Sequence, residues 1–310
     1  MKLKILFIDC WNNIGDFFRE QRNRIEGLEN VNLYRDNTIF NKVIRFLGIK
    51  IYMPLIYFAY GSWKKKIQNY DLIILDSRKT SEYAIKLIKK VDKNKRIVIW
   101  YWNKVTDREL SPLLCKAMQC ETWTFDKEDA KKYDMSYNNT YYFEYVEMKK
   151  STKEYDVFFV GIERPGRLEE LKQLQSVLEQ YNKNIEIHLT KSKLVKPNSK
   201  YEYKPIISYK EVLNKISKTN AILDLTQPNQ YGLTLRAMES LFFNKKLITN
   251  NKKIIEYDFY NKENIFIIGV DSYNRLNKFL ESNYKEIDNK IIEKYKFDNW
   301  LNRIIERKCF

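Results

Sequence analysis

Arg236 and Glu239 stand three residues apart in the stretch GLTLRAMESLFF, just behind a Gly232-Leu233-Thr234 that opens a helix. At that spacing both side chains leave one side of the helix, a turn from its N-terminus. Free N–H groups and the positive end of the helix dipole gather there. A cation beside a carboxylate in that field suits a ligand that is both anionic and hydroxyl-bearing, such as a nucleotide diphosphate-sugar. The competing reading is a surface Arg–Glu pair on an amphipathic helix. A second basic turn lies upstream in YDVFFVGIERPGRLEEL, where a buried strand runs into Gly161, Arg164, Gly166 and Arg167 and then a helix. At the carboxyl end of a parallel strand, glycine permits close backbone approach and the guanidinium groups supply positive potential. A strand–helix turn that happens to be basic would read the same way. Lys191 and Lys193, past the strand in EIHLT, are either diphosphate ligands or solvated lysines. The upstream turn is neither a GxGxxG fingerprint nor a GxxxxGK[ST] loop. His188 is the only histidine, sits mid-strand, and reads as structural, which leaves no Ser-His-Asp or Cys-His machinery.

The elements that must position these residues follow from alternation. Apolar runs such as KILFI, DLIIL and RIVIW read as buried strands, each followed by a helical pattern, so the sheet is parallel with helices on both faces. The first series is expected to close with a strand at Tyr141–Tyr145. After a polar break at Lys149–Glu154 the pattern restarts, which predicts domains over 1–150 and 151–290 and a terminal helix over 291–310. Hydrophobic residues at 44% and aromatics at 15% argue against disorder, and 56 Lys and Arg against 40 Asp and Glu favour anionic partners. Four scattered cysteines with no CxxC indicate neither a zinc site nor a disulfide framework.

The pairing of YDVFFVG…R with NQYGLTLRAMESLFFNKKLIT resembles the donor domain of GT-B-fold glycosyltransferases, nearest to family 4-like bacterial enzymes of lipopolysaccharide and capsule assembly. The resemblance implies two Rossmann-like αβα domains facing across a cleft. It also implies an acceptor-binding first domain, a nucleotide-sugar-binding second one, and a last helix crossing back to the first. Family members carry E-A-M-A-x-G-x-P-V-I, and Glu239-Ser240-Leu241-Phe242-Phe243-Asn244-Lys245-Lys246-Leu247-Ile248 falls in that register. The ribose-binding role would fall on Glu239, with Gly232, Leu233 and Thr234 against the sugar and phosphates. Asn244 and Lys246 replace the family's Gly and Pro, and Tyr231 replaces the first acid of an E-x7-E motif.

Inverting members need a general base on the acceptor domain, at the carboxyl end of a strand. Asp16 is the first candidate, with Asp107 and Glu109 next, and each reads equally as a helix N-terminal acid. No DxD-like pair stands at a strand end, so no metal and no other cofactor is expected. The aromatic run over Ile49–Lys66, ending in Lys64-Lys65-Lys66, suits an anionic membrane interface or else a helix packed inside the first domain. With no signal peptide and no span-length apolar run, the expectation is a cytoplasmic glycosyltransferase, at the inner face of the membrane where it meets a lipid-linked acceptor. The rival readings are a nucleic-acid-binding protein and a GT-B relative without turnover. The first lacks a recognisable module and an aromatic platform, so nucleic acid is not an expected partner.

Overall fold

The computed structural model describes residues 3–10, 14–35, 38–50, 55–149, 151–192, 198, 200–227 and 230–310, with only the backbone of 48–50. Two compact units emerge, Met1–Asn138 with Cys309–Phe310, and Asn139–Lys308.

The first unit runs β1 (Ile5–Asp9), α1 (Ile14–Arg22), β2 (Leu28–Asn32), α2 (Ile39–Lys50), α3 (Ile56–Ala59), β3 (Leu72–Asp76), α4 (Ser81–Val91), β4 (Arg96–Tyr101), α5 (Pro112–Ala117), β5 (Glu121–Thr124), α6 (Lys127–Tyr133) and β6 (Ser136–Tyr137). Its sheet has the order β2-β1-β3-β4-β5-β6 with every neighbouring pair parallel. Every residue of β1 and β3 is buried, as the unbroken apolar runs require of strands covered on both faces. α6 begins at Asp126, whose carboxylate accepts the N–H groups of Glu128 and Asp129.

The second unit continues β7 (Tyr155–Ile162), α7 (Arg167–Glu179), β8 (Ile185–Thr190), α8 (Tyr209–Ser217), β9 (Thr219–Asp224), α9 (Leu235–Phe242), β10 (Lys246–Thr249), β11 (Ile265–Ile267), α10 (Leu276–Glu281), α11 (Asn289–Glu293) and α12 (Phe297–Glu306). Its parallel sheet has the order β11-β10-β9-β7-β8. The core forms where Leu168, Leu171, Leu174 and Leu178 of α7 pack on Val157, Phe159, Ala221 and Leu223.

In each sheet, therefore, the first strand is interior, the second lies on one side and the third on the other. Such an order reverses direction at the first strand, between β1 and β3 and again between β7 and β9. At such a switch point the connecting helices leave on opposite faces and a crevice opens beyond the strand ends.

Two expectations are corrected. Tyr141–Tyr145 forms no strand: Tyr142 makes one isolated bridge to Lys296, and Tyr141 packs on Phe297 and Trp300 at 4.7 and 4.6 Å between ring centroids. Aromatic packing on α12 replaces the ladder, and β6 closes the first sheet instead. The terminal helix expected over 291–310 is interrupted between α11 and α12, where Lys296 is extended and bridges to Tyr142. Within Ile49–Lys66, residues 51–54 and the side chains of 48–50 lie outside the described residues. Of the rest, Ile56, Ala59, Tyr60 and Trp63 are core, and the Trp63 indole donates to the Leu33 carbonyl at 2.9 Å. Tyr57 and Phe58 of α3 remain exposed, and the larger apolar surface sits on α2, where Ile39, Phe40 and Phe46 are 82%, 71% and 60% exposed.

Candidate functional site

The second unit gathers its chemistry at the β7/β9 switch point. β7 runs on through Gly161 to Ile162, and Gly166 (φ 80°) takes the left-handed turn that starts α7. A Cβ on Gly161 would meet the Phe159 ring at 2.8 Å and Arg167 at 3.3 Å, so this glycine makes room for the protein's own side chains. Arg167 is buried, and its guanidinium donates to the Ile162 carbonyl at 2.6 Å and the Leu225 carbonyl at 2.8 Å. Burial lowers its pKa to about 10, and neighbouring Arg164 adds to that. Arg167 thus ties the end of β7 to the end of β9. Arg164 is half-buried on the same loop, with its two terminal nitrogens 2.8 and 3.2 Å from the Gln227 amide oxygen once that amide is turned to accept. Two loops from opposite sides of the switch point so meet through an arginine at a partly open position.

α9 supplies the rest. Gly232 and Leu233 are buried, and the Leu233 carbonyl accepts the Thr140 hydroxyl at 2.6 Å. Thr234 caps α9 by accepting the Ala237 N–H, and its hydroxyl donates to Asp224 at 2.9 Å. Asp224 ends β9, and burial pushes its pKa up to about 6 against the hydrogen bond from Thr234 and the charge of Arg236. The Arg236–Glu239 pair is no surface decoration. Glu239 has no exposed side-chain area, while Arg236 keeps 14%. Glu239 also accepts from the Tyr209 hydroxyl at 2.6 Å, which lies 2.8 Å from the Tyr142 hydroxyl. Burial raises the Glu239 pKa to about 7, opposed by Arg236 and by that Tyr209 bond. This tyrosine relay is invisible in the local sequence, since Tyr142 and Tyr209 come from distant segments. Asn244, where the family pattern has Gly, has a left-handed φ of 51° just after α9. Asn is the other residue that tolerates this geometry, so the departure preserves the turn.

Lys191 is exposed just beyond β8, and Lys193 lies outside the described residues. His188 is buried with its Nε2 2.7 Å from the Pro205 carbonyl, a structural placement.

The first unit opens a cavity of about 640 Å³ at the β1/β3 switch point. Its wall includes Cys10 after β1, Asn32 at the end of β2, Asp76 at the end of β3 with Ser77 to Thr80 after it, and Trp102 and Asn103 after β4. Lys42, Arg45, Arg78, Lys79 and Arg108 bring five cations to it. Of the three candidate acids, Glu109 lines the cavity and accepts the Thr106 hydroxyl at 2.6 Å. Asp107 is exposed on the same loop and is not among the lining residues. Asp16 is 66% exposed on α1 and paired with Arg19. Asp9 accepts from Arg19, Arg22 and Asn30 and braces α1 against β2.

Sequence reasoning passed over Asp76. It ends β3, is buried in the cavity wall, and accepts the Arg78 backbone N–H at 2.9 Å, the Arg78 Nε at 3.2 Å and the Cys10 thiol at 3.3 Å. Burial raises its pKa, against the Arg78 charge. The signal was present in YDLIILDSRKT, a strand-end acid followed by a basic turn. Among the described residues, no three of His, Cys, Asp and Glu are grouped to hold a metal ion, and no helix is long and apolar enough to cross a membrane.

No protein-family model matches the chain, and no curated protein sequence matches it. Solved structures do. Over 98% of this chain and 99% of the other, the fold is similar to that of a lipopolysaccharide outer core galactosyltransferase, WaaB, in its apo form, at a TM-score of 0.52 and 14% identity. At lower scores come the calicheamicin glycosyltransferase CalG4 (TM-score 0.39, 9% identity, 99% and 95% coverage) and the spinosyn rhamnosyltransferase SpnG (0.41, 6%, 98% and 95%).

Proposed function

From a chain that has the GT-B fold, we propose a glycosyltransferase that moves a hexosyl or related group from a nucleotide-sugar to a glycan or lipid-linked acceptor of surface polysaccharide assembly. One observation carries this reading. The first five strands of each unit share one order, and at each switch point basic side chains and a buried strand-end acid come together. In the second unit, Arg164, Lys191 and the N-terminus of α9 are assigned to the donor diphosphate. Arg236 and Glu239 are assigned to the donor hydroxyls, which reach Glu239 by exchanging with its bond from Tyr209 or Arg236. Cationic side chains take the leaving diphosphate's charge, so the reaction is read as independent of a divalent ion.

In the first unit, Asp76 and Glu109 are the acids at the cavity, and Asp76 is the preferred general base. Burial raises the Asp76 pKa above the ordinary carboxylate value, and a more basic carboxylate at the cavity wall removes a proton more readily. Asp76→Asn is expected to lower kcat by about 10²–10⁴ with donor affinity unchanged, and an unaltered kcat would remove the assignment.

The test of the whole reading is nucleotide binding. One of UDP, GDP, ADP or CMP at saturating concentration should raise Tm, because a ligand at about 100 Kd adds roughly 2.7 kcal/mol to the native state. Glu239→Ala should abolish most of that rise while the far-ultraviolet spectrum stays native. A panel without effect, alongside stabilisation by oligonucleotides, would replace this reading with nucleic-acid binding.

A further inference from the structure

The cavity at the β1/β3 switch point carries more positive charge than a neutral glycan needs. Arg78 and Lys79 come from the turn entering α4, Arg108 from the loop after β4, and Lys42 and Arg45 from α2. Against these five stand only two carboxylates, Asp76, which is paired with Arg78, and Glu109, so the wall is net positive. Cations drawn from three separate elements onto one concave surface repel each other and focus positive potential into the space between them. Hydroxyl groups of a sugar relieve little of that repulsion. A phosphate relieves most of it, since it accepts charge-assisted hydrogen bonds from several donors at once and pairs with guanidinium in two parallel bonds. The turn at Ser77–Thr80 adds the positive end of α4, an eleven-residue helix, to the same wall. A switch-point crevice is where a phosphate-bearing ligand is held in open α/β sheets.

We propose that this cavity binds a phosphate or diphosphate group carried by the acceptor, so that the acceptor is a phosphorylated glycan or a sugar on a prenyl diphosphate. The inference rests on the transferase reading, and it assigns the donor's phosphates elsewhere, to the second unit. Phosphate is the shared chemistry; its source is either the sugar or the lipid link.

Titration calorimetry on the full chain separates these outcomes, with mannose 6-phosphate and farnesyl diphosphate as probes, mannose as the neutral control and the stabilising nucleotide as the donor control. At least one phosphorylated probe should bind, mannose should not, and affinity should fall as salt rises. Lys79→Glu with Arg108→Glu should weaken that binding tenfold or more and leave the nucleotide's Tm shift unchanged. Both positions are exposed, and an unchanged Tm of the unliganded variant confirms its fold. Binding of the sugar phosphate alone places the phosphate on the glycan, and binding of the prenyl diphosphate alone places it on the lipid link. Equal binding of mannose, or phosphorylated probes indifferent to the double variant, overturns the inference and leaves the transferase reading standing. Loss of the nucleotide shift in the double variant also overturns it, because the cavity would then hold the donor. A nucleotide panel without effect beside intact, variant-sensitive sugar phosphate binding sinks the transferase reading while the anion site stands.

Discussion

Glu239 is an acid that its neighbours hold away from water, and its titration is written into stability. Its pKa in the folded chain is about 7, raised from 4.5 mainly by burial. The folded state therefore binds a proton more tightly than the unfolded state does. The protonated acid contributes its full share below about pH 4.5, and that share is lost as pH rises through about 7. A shift of this size is worth on the order of 3 kcal/mol. Replacing the acid by an amide removes the titration, so the stability of Glu239→Gln should fall less than wild type between pH 5 and 7. Chemical denaturation at stepped pH measures this, and parallel curves for the two proteins would refute it. At this scale the sequence was half legible. The three-residue spacing placed Arg236 beside Glu239, because helix geometry is local. Whether the pair faced water was settled by Tyr209 and Tyr142, which arrive from elements that no local window contains. Asp76 shows the other limit: its role depends on which strand ends share a crevice.

Among the elements, α2 is the one whose two sides face different demands. Ile39, Val43 and Phe46 recur at helical spacing, with Phe40 beside them, and all are exposed. Lys42 and Arg45 stand on the same helix at the cavity wall. An apolar face bordered by lysine and arginine suits an anionic membrane interface, and we assign that contact to α2. Phe40→Ser with Phe46→Ser should cut sedimentation with phosphatidylglycerol-containing vesicles about tenfold or more, since each buried Phe is worth roughly 1.5–3 kcal/mol. Stability should move by less than about 0.5 kcal/mol, as expected at exposed positions. Vesicle binding that ignores the double substitution would remove the membrane role. The sequence left Ile49–Lys66 open between such a contact and packing inside the first domain, and the physical reason is plain. Two apolar runs follow one another, and composition alone does not decide which one goes inside. Trp63 decides it for the end of the second run, because its bond to the Leu33 carbonyl and its contact with Tyr60 hold Tyr60 and Trp63 in the core while Phe58 stays exposed.

Across the whole molecule, the two α/β units were legible because unbroken apolar runs of strand length alternate with amphipathic ones, a pattern read without tertiary information. Strand order was not, since crossover direction leaves no mark on any single run. Yet strand order gives the loops chosen from sequence their common address: Gly161–Arg167 runs from the end of β7 into α7 and Tyr231–Thr234 follows β9, the pair that flanks the reversal. The same order has a consequence for the chain as it is made. In each unit the strand translated first ends up interior, so it emerges with two edges to satisfy. β1 finds one partner at Leu28 but waits for the other until Leu72, and β7 waits from Ile162 to Thr219. At about 5–20 residues per second, ILFID and VFFVG spend several seconds on the ribosome with one edge unpaired. Their apolar side chains are meanwhile only partly covered. The interval before the third strand of each unit appears is when this protein is most exposed to misassociation.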